Sequence, residues 1–373
     1  MKKNKTIPYG HQWVDNNDIK EVVKVLKSDW LTQGPCVLEF EKAVAKYCKV
    51  KYAVAFSSGT AALYSAYNTA NLKEGDEVIT TPLTFVATSN MLVFCGVKPV
   101  FADINENTLN INPEEIKKKI TKKTKAIVTV DFAGNACDYD KIFKIAKENN
   151  LLVIEDASHA LGGEYKGKKI GSFSDMTILS FHPVKHITTG EGGMVLTNNE
   201  DFYEKLKTFR NHGIIKKPEI GKWYYEIEKP GFNYRITDIQ CVLGISQLKK
   251  IGIFLKKRRN IVKLYSKAFE KNKEIILPKE SKFSKSAWHI YPIQFKNLDR
   301  KKVFDELQKQ GIGVQVHYMP LHLHPFYQKK FGYKKGDFPN AENYYDRAIT
   351  IPLFPKMADS DVKRVITIIK NIF

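Results

Sequence analysis

Short apolar runs separated by amphipathic stretches set the rhythm of this chain. Val22, Val23, Val25 and Leu26 recur at helical spacing behind Asn16 and Asn17, which predicts a helix capped by one of those asparagines. The turn WLTQGP (30–35) precedes a second amphipathic helix that ends near Cys48. Beyond it, compact apolar runs bounded by turn residues predict strands at 52–56, 77–80, 99–102, 126–130, 151–155, 176–181 and 194–197. Helical patterns fall between them: one from Ala61, one through Met91 and Phe94, and others at 113–120 and 139–148. Strands alternating with helices imply βαβ units, hence an α/β fold whose mostly parallel sheet is covered on both faces. Ligands of such sheets sit beyond the carboxyl ends of the strands, so the loops after each strand are where chemistry is expected.

The second half has a different texture. A helix at 199–210 leads into a basic and aromatic loop at 211–232, then a helix at 237–248 and a longer one to about Phe269. A strand at 288–295, a helix at 301–310, a strand at 314–317 and a last helix from Ser360 suggest a smaller α+β domain. The expected division is a large domain with an N-terminal helical arm over 1–250 and a small C-terminal domain over 251–373. The chain carries no internal repeat and no low-complexity segment.

One lysine differs from the rest in its company. Lys185 lies between the apolar runs 176–181 and 194–197, beside His182, Pro183 and His186, with Gly190, Glu191, Gly192 and Gly193 close behind. Flanking strands of that kind tend to be buried, and partial desolvation lowers an amine's pKa and frees its lone pair, as a Schiff-base lysine requires. The alternative is an ordinary solvated surface charge. Asp156 closes the apolar run before it; alone it reads as a helix cap. Followed by a Schiff-base lysine, it reads as the carboxylate that keeps a pyridine nitrogen protonated and makes the ring an electron sink. Ser58, Gly59 and Thr60 stand between a strand and a helix, where backbone N–H groups and hydroxyls suit a phosphate, though any such turn also serves as an N-cap. Ser180 is a second hydroxyl for the same phosphate. Phe85 opens a helix, either as a core residue or as a ring that stacks on a planar ligand.

Composition narrows the classes. The 373 residues are 43% hydrophobic, ample for a real core, and no uninterrupted apolar run is long enough to span a bilayer. The basic N-terminus lacks the apolar segment of a secretory signal. Cys36, Cys48, Cys95, Cys137 and Cys241 are scattered and never form a CxxC pair, which argues against a disulfide framework or structural zinc and for a cytoplasmic location. His317, His322 and His324 fit no tight helical pair, so no metal is expected. The net charge of +20 is spread over predicted helix faces such as Lys117, Lys118 and Lys119. It is not interleaved with stacking aromatics, so a phosphorylated small ligand explains it better than nucleic acid. Lys216, Lys217 and Lys222 either meet a diphosphate or are plain surface.

The ordered motifs SSGTAAL (57–63), TPLTFVA (81–87), EDASHA (155–160), SFHPVK (180–185), TTGEGG (188–193) and GFNYRITD (231–238) resemble those of the DegT/DnrJ/EryC1/StrS sugar aminotransferases, over almost the whole chain. The resemblance implies the pyridoxal phosphate-dependent transferase fold of type I, with a sheet of the seven-stranded kind. It gives Lys185 the covalent link to pyridoxal 5'-phosphate and Asp156 the ring nitrogen. Gly59, Thr60 and Ser180 would bind the phosphate, Phe85 would stack on the ring, and His159 would lie beside its phenolic oxygen. Asn233 would reach the cofactor of the neighbouring subunit in a homodimer with shared sites. Thr32, Gln33, His317 and Tyr318 fall where the family contacts substrate. Within the family, VDFAGNACD (130–138), FRNHGI (209–214) and GVQVHY (313–318) are most similar to the members that aminate C4 of a UDP-4-keto-6-deoxy-N-acetylhexosamine in pseudaminic acid biosynthesis, with glutamate as donor. His186 departs from that branch, which has proline there. Other members take D-configured UDP- or dTDP-4-keto-6-deoxy sugars with the same cofactor motifs. Dehydratase relatives carry histidine in place of the lysine, and a non-catalytic sensor or nucleic-acid-binding relative would have lost the lysine, aspartate or phosphate turn; here all three are intact.

Overall fold

The computed structural model describes residues 6–372. Seven of its strands are the apolar runs read above: β1 (Tyr52–Phe56), β2 (Glu77–Thr80), β3 (Lys98–Phe101), β4 (Thr124–Val130), β5 (Leu152–Asp156), β6 (Met176–Ser180) and β7 (Gly193–Thr197). They pair in the order β1-β7-β6-β5-β4-β2-β3. Only β7 runs antiparallel to its neighbours in this sheet; the remaining contacts are parallel. Successive residues of a strand face opposite sides, so both sides must be apolar for a sheet covered twice. That is what the side chains do. Ala53, Ile127, Val153, Leu179 and Leu196 pack in one core, and Val54, Val128, Ile154, Ile178 and Val195 in the other.

The helices between strands are α3 (Gly59–Thr69), α4 (Val86–Phe94), α5 (Pro113–Lys119) and α6 (Tyr139–Glu148), preceded by α1 (Asn16–Leu26) and α2 (Pro35–Cys48). The expected cap of α1 at Asn16 or Asn17 is corrected to Asp15. Its Oδ1 accepts from the N–H groups of Asn17 and Asp18, at 3.0 and 3.1 Å, while Asp18 reaches back to the Asp15 N–H at 3.0 Å. A carboxylate with a reciprocal partner three residues on outcompetes the amides.

After β7 come α7 (Glu200–Arg210), α8 (Asp238–Leu248) and α9 (Ile251–Phe269). The segment expected to be a loop at 211–232 contains a hairpin, β8 (Ile214–Lys216) against β9 (Tyr225–Ile227), whose three-residue strands are too short to show an alternation. The second sheet has three antiparallel strands, β10 (Ile275–Ile276), β11 (Tyr291–Phe295) and β12 (Ala348–Ile351), with β11 central. The strand expected at 314–317 is absent; that segment touches the sheet through one bridge, Gln315 to Thr350. It runs past the sheet edge, with the Gly313 N–H taken by the Ile7 carbonyl and His317 turned onto the Thr350 hydroxyl. The helix α9 serves both sheets: Ile251, Phe254 and Leu255 pack in the core of the large one, and Ile261, Val262, Tyr265 and Phe269 in that of the small one.

One cap crosses the fold. Helix α2 begins at Gly34-Pro35, so its N-cap has no side chain and its first residue no N–H. Buried Asp238, the last residue of the GFNYRITD motif, supplies the missing acceptors: Oδ2 takes the Gly34 N–H at 2.8 Å and Oδ1 the Cys36 N–H at 2.9 Å. Asp238→Ala leaves both donors unpaired and is expected to cost about 3 kcal/mol, with Asp238→Asn losing about half of that because one acceptor oxygen remains. Chemical denaturation of both variants at one protein concentration checks the order.

Candidate active site

Strands β1, β5 and β6 are mutually parallel, and β7 brings β1 and β6 together by pairing with both. Their carboxyl ends therefore open on one side, at Phe56, Asp156 and Ser180. A cavity of about 390 Å3 lies there, lined by Gly59, Thr60, Phe85, Asp156, His159, Ser180, Lys185, His317 and Tyr318. Nine of the twelve residues to which the family resemblance gives a role thus meet in one place. Tyr9, Thr84, Thr88, Glu191 and His289 join them.

Lys185 sits on the loop after β6, half-buried, with its Nζ 3.5 Å from Nε2 of His289. Its pKa is pulled down to about 8 by burial; the Asp156 carboxylate works against this and the Arg258 guanidinium with it. Four of the surrounding imidazoles are disfavoured as cations. Burial holds His159, His186 and His289 far below the usual histidine range, with the Lys185 charge adding in each case, and takes His317 down to about 3. At neutral pH these four rings are hydrogen-bonding groups, not charges. His159 packs against His289 at 4.4 Å between centroids, the rings tilted by 43°, and shares a 3.1 Å hydrogen bond with the hydroxyl of Tyr318. His186 lies behind the cavity, its Nε2 3.1 Å from the Ala287 carbonyl.

Asp156 ends β5 facing the cavity because Glu155, one residue earlier, faces the other side of the sheet. Oδ2 accepts from the Thr88 hydroxyl at 2.7 Å, Thr88 in turn being 2.8 Å from the Thr84 hydroxyl, and Oδ1 accepts from the Ser158 N–H at 3.1 Å. A carboxylate oriented in this way keeps lone-pair capacity for one further donor. On the opposite side, Ser58 caps α3 by accepting the Ala61 N–H at 3.1 Å. The Gly59 and Thr60 N–H groups in the first turn are left without intrahelical acceptors. A Cβ on Gly59 would meet Cβ of Ser180 at 3.2 Å, and one on Gly193 would collide with the Ser58 carbonyl. Two glycines thus make room for a helix start aimed at a small anion.

These residues fit pyridoxal phosphate. The cavity holds an amine of lowered basicity for an aldehyde, a fixed carboxylate for a ring nitrogen, and a glycine cradle with serine and threonine hydroxyls for a phosphate. Buried Nδ1 of His159 has no partner, a polar atom the ligand's oxygen side could use. Phe85, 56% exposed at the start of α4, stands on the rim 6.0 Å from the ring of Tyr318.

Three expected residues lie elsewhere on this chain. Thr32 bridges Thr237, and Asn233 bridges Asn211. Gln33 lines a second depression with Arg210, Asn211, Lys216 and Arg235. Lys216 and Lys217 belong to the β8–β9 hairpin side, Lys217 lying 4.0 Å from Glu226. Among the described residues no cluster of three metal-ligating side chains occurs, and His322 is paired with Glu342 at 2.8 Å. No helix among them is long and apolar enough to cross a membrane. The residues the sequence did not disclose are Tyr9, Thr88, His289 and Arg258. His289 lies in the run AWHIYPI, and the one available signal was a histidine inside an otherwise apolar strand pattern.

Comparison with known proteins agrees with this chemistry. The chain is 44% identical over 366 residues to the UDP-4-amino-4,6-dideoxy-N-acetyl-beta-L-altrosamine transaminase of Campylobacter jejuni, covering 96% of this chain and 95% of that one. Helicobacter pylori PseC, an aminotransferase of pseudaminic acid biosynthesis, superposes with a TM-score of 0.93 at 37% identity, over 99% of both chains. The sugar aminotransferase Spr1654 of Streptococcus pneumoniae, solved in its PLP-form, superposes with a TM-score of 0.92 at 31% identity, over 99% of this chain and 100% of that one. The model of the DegT/DnrJ/EryC1/StrS aminotransferase family matches residues 12–370, and the chain is a member of that family.

Proposed function

We propose that this protein is a pyridoxal phosphate-dependent sugar aminotransferase that moves an amino group from glutamate to C4 of a UDP-4-keto-6-deoxy-N-acetylhexosamine. The observation that carries the reading is the convergence of Lys185, Asp156 and the Gly59–Ser180 cradle in one cavity, with the amine's pKa lowered to about 8. The similarity to transaminases of the altrosamine series, and to PseC, supports the choice of sugar.

Bound there, the cofactor supplies a protonated ring that takes up the electron pair left when a proton leaves the amine-bearing carbon. The protein's residues prepare that chemistry. Lys185 would hold the cofactor through Nζ and, once displaced by the donor's amine, carry the proton from one carbon to the next. Asp156, fixed by Thr88 and Ser158, would keep the ring nitrogen protonated. The N–H groups of Gly59 and Thr60, with the hydroxyl of Ser180, would bind the phosphate. Neutral His159, held by Tyr318, would lie at the phenolic oxygen, and Phe85 would cover the ring. His317 and Tyr318 would face the sugar.

Thr32, Gln33 and Asn233 act, in this reading, in the site of a second copy. Trp30, Leu31, Leu38 and Phe232 are large apolar side chains 43–55% exposed on or near the same segments, which supports an interface there. The active form is then a homodimer with two shared sites.

Incubating the loaded enzyme with glutamate and a panel of UDP- and dTDP-linked 4-keto-6-deoxy sugars tests the assignment by mass spectrometry and NMR. Amination of the L-configured UDP sugar is expected, and preference for a D-configured or dTDP sugar reassigns the substrate while keeping the chemistry. Lys185→Ala is expected to lose all turnover and all borohydride-stable cofactor; retained transamination would falsify the role of Lys185. Mixing inactive Lys185→Ala chains with weakly active Asn233→Ala chains should restore about a quarter of the wild-type sites, because half the dimers are mixed and each has one intact site. Activity of the mixture equal to the sum of its parts excludes the shared site.

A further inference from the structure

Arg258, on α9, heads the largest side chains that are fully withdrawn from solvent, at 1% exposure. Among the described residues no carboxylate forms an ion pair with it. A buried, uncompensated guanidinium is costly, and its four acceptors are all backbone carbonyls: His289 and Leu353 at 2.9 Å, Trp288 at 3.3 Å, and Val184 at 3.5 Å, the outer edge of hydrogen-bond distance. Those carbonyls come from three separate stretches: the loop after β6, the approach to β11 and the exit from β12. Two of the four flank the reactive group. Val184 immediately precedes Lys185, and His289 carries the ring that meets its amine.

We propose that Arg258 is a positioning residue for the aminotransferase reaction: one buried cation ties the backbone before Lys185 to the backbone of His289 and so holds the amine in place to react. The inference rests on the reading of Lys185 given above. A neutral polar side chain could satisfy one or two of these carbonyls; a planar fork reaches all three stretches at once, the loop and the approach to β11 being joined also by His186 on the Ala287 carbonyl. The charge has a second effect. Of the groups facing the amine, Asp156 favours its protonation, while Arg258 opposes it. His159, His186, His289 and His317 are held neutral, and the Tyr318 hydroxyl is held un-ionised by burial. Glu191 and His182 stand farther out on the lining. The uncompensated guanidinium thus works against the carboxylate that the ring nitrogen needs, and adds to burial in favouring the neutral amine of Lys185.

The test uses the full-length, cofactor-free chain, labelled at Lys185 by trace acetic anhydride across a pH series and quantified by peptide mass spectrometry. In the wild type, labelling is expected to rise through a midpoint near 8, since only the neutral amine reacts. Arg258→Gln should move that midpoint up, by less than burial moves it down. In the loaded enzyme it should lower kcat about tenfold or more with little change in KM for glutamate. A folded Gln variant with the wild-type kcat overturns the proposal. If that variant does not fold, Arg258→Lys decides: the charge is kept, so the midpoint should stay near 8, while the single ammonium cannot span three segments and kcat per folded molecule should fall. For the Lys variant, an unchanged kcat or a raised midpoint overturns the proposal, and failure of both variants to fold assigns Arg258 to stability alone. Pyridoxal phosphate added to the wild type beforehand should block the label; a label that persists sinks the cofactor assignment instead.

Discussion

Taking an ammonium ion out of water is what the centre of this protein has to accomplish, and most of its arrangement follows from that. A lysine amine stays charged at neutral pH unless its surroundings disfavour the cation. Here the surroundings are four imidazoles that are themselves neutral, a phenol, and a guanidinium of the same sign. Asp156 is a counter-charge in the cavity and already accepts hydrogen bonds from Thr88 and Ser158. The amine is left near the point where it can both give and take a proton. Such balance needs walls from both sheets: Lys185 and Asp156 come from the large one, and His289, His317 and Tyr318 from segments around the small one.

Much of this was legible in the sequence because the chemistry sits at strand ends and strand ends are well marked. Lys185 and Asp156 follow apolar runs, and the turn at 57–60 separates a strand from a helix. The α/β alternation and the seven strands of the large sheet are where periodicity put them, within a residue or two. The residues that escaped notice share a different property. Thr88 is one of several small polar residues on a helix, His289 lies in an apolar run, and Arg258 is one basic residue among four consecutive ones on α9. Nothing local distinguishes them; they become special only when another element arrives. The strand expected at 314–317 failed for the same reason in reverse: its residues are apolar and polar in alternation, but its position past the sheet edge leaves it a single bridge, from Gln315 to Thr350.

The motifs also divide between chemistry and support. In EDASHA, Asp156 faces the cavity, while Glu155 faces away into a buried group with Tyr139, Asp131 and Thr177. Burial and the adjacent Glu155 push Asp131 well above the usual carboxylate range, so that pair holds a proton of its own. In TTGEGG, Gly193 is needed because the start of β7 lies against the Ser58 carbonyl, which lets the turn at 57–60 approach Ser180. In GFNYRITD, the aspartate caps a helix two hundred residues earlier.

That last contact bears on more than helix stability. The turn 30–35 is held at its end by both oxygens of Asp238, by the bridge from Thr32 to Thr237, and by the Asp238 N–H on the Leu31 carbonyl at 3.0 Å. Gln33 is kept in the left-handed region, at a φ of 57°. An exposed turn restrained at this many points has little conformational freedom left to lose when another surface closes over it. In the proposed homodimer its contribution to association would be entropic as much as a matter of contacts, because the ordering is completed when the chain folds.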